Sequence, residues 1–370
     1  MGAGEGERAG GSRHSKTFII LLLVVAAVVA LSLCVDGYLA QLHSPLKVIR
    51  SIGLWFRLTF GKIFHTSDAL NYYDLTAQMP WYGGVIERGR LIIMMFICGA
   101  LMALSGSIFQ TVFHNPMAAP TMLGVSAGVN VGITILVLQF EYAAVNMMLY
   151  KYIYCYIGAT VMLVIVLLIG KIASGRRKME IFDLILVGSI LSQIVSAVMT
   201  YFTYGMDNDL ALVFQQVSGA IETDTSKEAF LFLIVVSALT LIPMMLIRYS
   251  FNAVAFEADD SRSLGIHAYG MRIATMILGT IMIAASMIHC GSAGMISLAA
   301  PFIARGLFGA EFRGQFWGNL IIGGTLLVVC KDIVGLIPFY GSHIPLGTIV
   351  DFVVLPIFIV MVVTQRRIWT

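Results

Sequence analysis

The residues of this chain that could do chemistry are few, polar and set inside apolar runs. Ser189, Ser192, Gln193 and Ser196 recur at helical spacing within LVGSILSQIVSA. Gln110, Asn115 and Pro116 surround an interruption at HNPMAAP, and Asp351 lies one turn into the last apolar run. Lys331 and Asp332 are adjacent inside another run, where an ion pair is the expected reading. Hydroxyls, amides and isolated carboxylates of this kind guide a solute or line a path, since intramembrane polar groups face a bundle interior or a cavity. They do not make an active site: HExxH, GxSxG and paired intramembrane aspartates do not occur. The phosphate-cradling G-x-x-x-x-G-K-[ST] is also missing, because Lys62 and Lys171 follow glycines but are followed by isoleucine. Any ATP must then be hydrolysed on another chain. Five cysteines form no CxxC pair and read as apolar packing residues. His289 and His343 fall near the ends of apolar runs and, with Asp351, are expected near an entrance. Histidine can ligate haem iron, although an interfacial residue is the commoner reading.

The elements that position these residues follow from composition. Of 370 residues, 59% are hydrophobic and only 12% charged, and mean hydropathy is +0.90. A soluble surface needs about twice that charge. A net charge of +3 offers nothing to nucleic acid. Stretches of about 20 apolar residues, the length that crosses a bilayer, recur at 18–35, 91–109, 117–138, 152–169, 182–202, 230–247, 273–288, 293–307, 320–337 and 347–363. The expectation is an all-α integral membrane protein of about ten transmembrane helices. A polar tail, 1–17, is expected disordered and cytoplasmic, and 18–370 is expected to form one transmembrane domain. The first run is longer than a secretory signal core and reads as a retained helix. Residues 36–90 read as an amphipathic segment outside the membrane, carrying Trp55, Tyr72, Tyr73, Trp81 and Tyr82.

Basic residues set an orientation. Lys171–Lys178, Arg248 and Arg366–Arg367 follow the fourth, sixth and tenth runs, which puts both termini on the cytoplasmic side. Arg88 and Arg90 fall on the opposite side, against that rule. Two features interrupt the helices. Pro116 and Pro120 stop any continuous helix, and Gly291, Gly294 and Pro301 repeat the pattern more loosely. Paired interruptions in two halves indicate an internal repeat with re-entrant segments around a central path.

The longest polar segment on the cytoplasmic side, 249–272, carries Glu257, Asp259, Asp260, Ser261, Arg262, Ser263, Leu264 and Gly265. It reads either as a solvated loop or as a docking element presenting Leu264 and Ile266. Here the chain resembles the permeases of binding-protein-dependent importers for iron siderophores, haem and vitamin B12. That family's G-x-x-x-Q and N-P-L-A-x-P-x-x-L-G correspond to Gly106, Gln110, Asn115, Pro116, Met117, Ala118, Pro120, Leu123 and Gly124. Its G-x-I-G-F-x-G-L-x-x-P-H-x-x-R is represented by Gly291, Gly294, Leu298, Pro301 and Arg305, and its last helix by Pro345, Gly347, Pro356 and Phe358. Its coupling loop is represented by Ala255, Phe256, Ser261, Leu264 and Gly265. The resemblance runs from about Arg88 to the C-terminus. Departures include Glu257 for a glycine, Phe302 for a histidine, Met295 for a phenylalanine and Asp351 for a small residue.

The resemblance implies a homodimer, or a pair with a related permease, in the lipid of a bacterial cytoplasmic membrane. A separate ATPase would bind ATP and dock on Glu257, Asp260, Ser261, Arg262, Leu264 and Gly265. An extracytoplasmic binding protein would meet Arg88 and Arg90, for which interfacial anchoring is the alternative. Gln110, Asn115, Pro116, Ser189, Gln193, Ser196 and Asp351 are the expected pathway or gate residues. Ferric siderophore, haem and corrinoid are the expected cargoes, in that order. A secondary carrier is the competing class, and it would have no use for the docking segment.

Overall fold

The computed structural model describes residues 3–36, 41–42, 47–54, 82–140, 148–174, 181–205, 226–249, 251, 268–309, 311–337 and 345–364. Ten α-helices carry the apolar segments: α1 (Ala3–Cys34), α2 (Tyr82–Val112), α3 (Val125–Phe140), α4 (Met148–Ser174), α5 (Ile181–Tyr204), α6 (Lys227–Ile247), α7 (Ala268–Cys290), α8 (Met295–Phe308), α9 (Phe312–Leu336) and α10 (Leu346–Thr364). They answer one for one to the ten expected runs. Seven are long and apolar enough to cross a membrane, and α3, α8 and part of α10 are shorter apolar helices. Past α1, Val35–Asp36 pairs antiparallel with Gln41–Leu42.

The stop expected from Pro116 and Pro120 falls inside the third apolar run, and α3 begins only at Val125. Pro120 opens a single 3-10 turn, and Gly124 ends it in the left-handed region at φ 77°, a backbone conformation that costs glycine nothing. Residues 3–16, expected to be disordered, continue α1 without interruption. Extending an established helix adds one bond per residue fixed, so the apolar part propagates into its polar end. Most of 36–90 lies outside the described residues, and α2 already starts at Tyr82.

The helices form two related halves, α1–α5 and α6–α10. The seams α3–α4 and α8–α9 correspond, as do α2–α9 and α7–α4, α3–α5 and α8–α10, and α4–α5 and α9–α10. The second half runs in the opposite direction to the first, because α2 and its counterpart α7 pack antiparallel. Taking the end where α1 begins as the near end, α2 runs from far to near and α7 from near to far, and the breaks that follow them fold back to meet: a Cβ on Gly294 would lie 2.7 Å from the Thr121 side chain. At the centre, α2 and α7 pack antiparallel. The Ser105 hydroxyl donates to the Gly279 carbonyl at 2.7 Å, and the Ser286 hydroxyl donates to the Cys98 carbonyl at 3.0 Å. Some 78% of the α2 span is buried and 72% of α7, against 11% of α1 and of α5. So α2 and α7 are the interior, and α5 is held by only part of its surface.

Lipid gives no hydrophobic reward for bringing helices together, so close backbone approach through small residues supplies the contact energy. A Cβ on Gly106 would lie 1.6 Å from the Ser297 carbonyl oxygen. Gly99 and Gly323 meet similarly on the α2–α9 seam. Gly106→Val is therefore expected to destabilise the detergent-solubilised protein by about 3 kcal/mol or prevent folding. Gly270→Ala, with nothing within 4 Å of its Cβ, should stay within about 0.5 kcal/mol of the parent. Thermal unfolding followed by size-exclusion chromatography checks both.

Candidate translocation pathway

At the near end of α2 the helix stops because Pro116 supplies no amide donor. His114 takes a positive φ of 50°. The Asn115 amide then donates to the Gln110 carbonyl at 3.1 Å. The Asn115 side-chain oxygen accepts from the Met117 amide at 2.9 Å, closing a turn that the backbone alone would leave open. Gln110 itself is buried. Its amide donates to the Leu298 carbonyl at 3.2 Å, and its oxygen accepts from the Arg305 guanidinium at 3.2 Å. Ser107 donates to Gln315 at 3.3 Å, and Gln315 donates to the Gly309 carbonyl at 3.1 Å. Side-chain amides thus tie α2, α8 and α9 together around both interruptions. Gln110 and Asn115 are placed as braces of the break rather than on an open cavity wall, with Pro116 half-buried beside them.

The open surface belongs to α5. Ser189, Gln193, Ser196 and Thr200 are all exposed and follow one helical stripe. Ser189, Ser192 and Thr200 donate to carbonyls of their own helix, at Leu186, Gly188 and Ser196, so they do not bond to neighbouring helices within the protomer. On this stripe opens a cavity of about 530 Å³ lined by Ala127 and Asn130 of α3 and by Ser196, Met199, Thr200 and Tyr204 of α5. Among the described residues, no ionised side chain, imidazole or thiol belongs to its lining. It can hydrogen-bond and offer thioether and aromatic surface, and nothing more reactive. Asn130, Thr200 and Tyr204 escaped the sequence reading. The signal for two of them was present, since Thr200 and Tyr204 continue the register of Ser196 in steps of four. The far side of the 3-10 turn seats α5: a Cβ on Gly188 would lie 2.4 Å from the Met122 carbonyl oxygen.

Other expected site residues fall elsewhere. Arg88 and Arg90 are half-buried in the first turns of α2. Asp351 is exposed on α10. Lys331 pairs with Asp332 at 3.1 Å, and Ser32 of α1 donates to the same carboxylate at 2.7 Å. His289, expected at the entrance, is instead buried and hydrogen-bonded to Tyr152. Gly291, at φ 67°, turns the chain only after His289, which leaves the imidazole inside the α4–α7 seam. His343 and Glu257, Asp260, Ser261, Arg262, Leu264 and Gly265 lie outside the described residues. The threshold of that docking segment is described. Arg248 lies 5.7 Å from the Trp317 ring centre, and both Arg248 and Arg313 approach Tyr249, at 4.9 and 5.0 Å. A hydrogen bond from Arg248, with both guanidinium charges, holds the Tyr249 phenol below its usual range.

A broken second helix braced by asparagine and glutamine, a matching glycine break in an inverted second half and a polar α5 accompany a family match over residues 52–364. The chain belongs to the FecCD transport family. Among FecCD relatives it is 27% identical over 317 residues to the iron(3+)-hydroxamate import system permease FhuB of Salmonella typhimurium. That alignment covers 85% of this chain but 44% of that protein, so the chain spans under half of it. It is 26% identical over 326 residues to the iron-uptake system permease FeuC of Bacillus subtilis, covering 85% of this chain and 94% of that one. The fold matches an inward-facing metal-chelate type ABC transporter with TM-score 0.70 at 20% identity, over 94% of this chain and 99% of that chain. These FecCD relatives are transport permeases, not enzymes.

Because Gln110 is buried and bridges two helices whereas Gln193 is exposed, the two amides should respond differently to the same change. Gln110→Leu strands the Leu298 carbonyl and should cost about 1–3 kcal/mol, read as a lowered unfolding midpoint in detergent. Gln193→Leu should leave that midpoint unchanged. An equal fall in both would mean that the α5 stripe is packed rather than open.

Proposed function

We propose that the chain is the membrane permease of an ATP-driven importer that works as a pair of copies in the cytoplasmic membrane and carries an intact iron chelate inward. The observation that carries this reading is the exposed hydroxyl-and-amide stripe on α5. A row of polar side chains on a membrane helix is not presented to lipid, so it lines a path. Within one protomer that path is open on one side, and a second copy, or a related permease, completes it. The basic runs after α4, α6 and α10 put the near end in the cytoplasm. Arg88 and Arg90 then open α2 at the outer end, where charge complementarity would orient a substrate-binding protein.

The lining also bears on the cargo. The described cavity wall holds no imidazole or thiol and His289 is bonded inside the α4–α7 seam, which supports a cargo whose metal crosses on its own ligands. The cargo keeps its own ligands, and a ferric siderophore suits an uncharged hydrogen-bonding wall better than haem or a corrinoid does. In the proposed mechanism, ATP closes a separate ATPase dimer, which pushes on Glu257–Gly265. The arginines and aromatics at 248–249 and 313–317 join the start of this segment to both α6 and α9. A push there moves the braced block of α2, α8 and α9 as one body. The less deeply held α5 changes its exposure, and the path alternates from outward-open to inward-open.

Purification of the tagged protein from native membranes in mild detergent tests this. An ATPase subunit is expected in stoichiometric amount and should be lost when Leu264 and Gly265 are replaced by lysine. A homogeneous preparation without an ATPase, still active for uptake in liposomes lacking ATP, would establish a secondary carrier instead.

A further inference from the structure

The geometry points to Asp351 as a charge-selecting residue of the translocation path, one that favours chelates bearing a positive charge over anionic ones. The inference rests on the importer reading above and adds the charge class of the cargo.

Its position follows from the inverted repeat. Gly188 of α5 packs on the Met122 carbonyl beside the first break, and Gly347 of α10 packs on the Ser292 carbonyl beside the second, at 2.4 and 2.2 Å from a Cβ built on each. Superposing these two contacts sets Asp351 opposite Ser192, Phe352 opposite Gln193 and Leu355 opposite Ser196. The corresponding face of α10 carries Thr348 opposite Ser189 and is otherwise apolar except for one carboxylate, Asp351. That face is open: Phe352 is 75% exposed, Leu355 44% and Ile359 53%.

Asp351 is exposed and makes no hydrogen bond or ion pair among the described residues. Lys331, on the neighbouring helix α9, is already engaged with Asp332. A lone carboxylate in a membrane span does not face hydrocarbon, and it marks a substrate or ion route. Asp351 follows Gly347 by one turn on this open face of α10. None of the described residues that line the α3–α5 cavity is charged. One carboxylate per protomer therefore sets the sign of the potential along the open face of α10, because a charge in a partly dehydrated site is poorly screened. An ammonium group on a chelate gains there, and a polyanionic chelate is repelled.

The test uses radio-iron uptake into cells carrying the whole importer, with three probes. They are a ferric trihydroxamate bearing a free ammonium (ferrioxamine B), its uncharged N-acetyl derivative and a polyanionic ferric tris-catecholate. Comparing D351N with the parent, chelate by chelate, cancels whatever the binding protein selects, and comparing chelates within one sample cancels expression. D351N should lower uptake of the ammonium chelate about tenfold relative to the acetylated one, the effect of one close charge pair in a half-wet site. D351E should keep the preference. An unchanged ratio in D351N, or a fall in tris-catecholate uptake in D351N as large as that of the ammonium chelate, overturns the assignment. Uptake that persists after ATP depletion overturns the importer reading instead, while the ratio between chelates still reports on Asp351.

Discussion

Hydrocarbon supplies no hydrogen-bond partner, so every backbone group released where a membrane helix breaks has to be answered by the protein itself. The rest of this structure depends on how that is done at 113–124. Asn115 answers the Met117 amide from its side chain and the Gln110 carbonyl from its backbone. Gln110, one turn earlier, reaches across to the Leu298 carbonyl and to Arg305. The same residues that satisfy the break therefore fix the second half of the chain against it. Irregular backbone survives at membrane depth because it is buried in protein, and burying it requires a tight interior.

The glycines make that tightness possible. Gly106 sits so near the Ser297 carbonyl that no side chain fits between α2 and α8, and Gly99 and Gly323 do the same for α2 and α9. The contact energy in this interior comes from van der Waals approach and interhelical hydrogen bonds rather than from expelled water. Such a block has few alternative packings, so it moves as a unit. By contrast, α1 and α5 bury only 11% of their spans. α1 is pinned near its far end by Ser32 on Asp332. α5 is pinned near its start by Gly188 against the 3-10 turn. Mobility and exposure concentrate where the fold has spent the fewest contacts.

What could be read from the sequence and what could not divides along the same line. Hydropathy is a local property, so ten runs located ten helices, and the two prolines of HNPMAAP located the break because proline acts on its own backbone. Where the helix resumes after that break was not legible: the apolar run opens at Met117 but α3 begins at Val125, because apolar composition continues through a segment whose dihedrals are set by Pro120 and Gly124. The polar stripe on α5 was legible from its spacing as far as Ser196. Its partner Asn130 was not, because only tertiary packing brings α3 beside α5. Nor was the burial of His289, since a histidine at a span end reads the same whether the chain turns before it or after it. Gln110 was legible as important, but its partners were not: Leu298 and Arg305 lie nearly two hundred positions away.

The two halves also show which features an inverted repeat keeps. Gly188 and Gly347 occupy corresponding seats, each against a carbonyl beside a break. A side chain at either position would collide with backbone, which cannot move aside, so geometry alone holds the pair alike. One turn further along, Ser192, Gln193 and Ser196 correspond to Asp351, Phe352 and Leu355, and there the resemblance ends. Gln193, Ser196, Asp351, Phe352 and Leu355 are exposed, so no neighbour within the protomer dictates their size or charge. Packing and transport thus use different faces of the same helices. The packed face has to repeat because both halves build one fold, whereas the open face is free to differ and gives the path a polar side from α5 and a mostly apolar, singly charged side from α10.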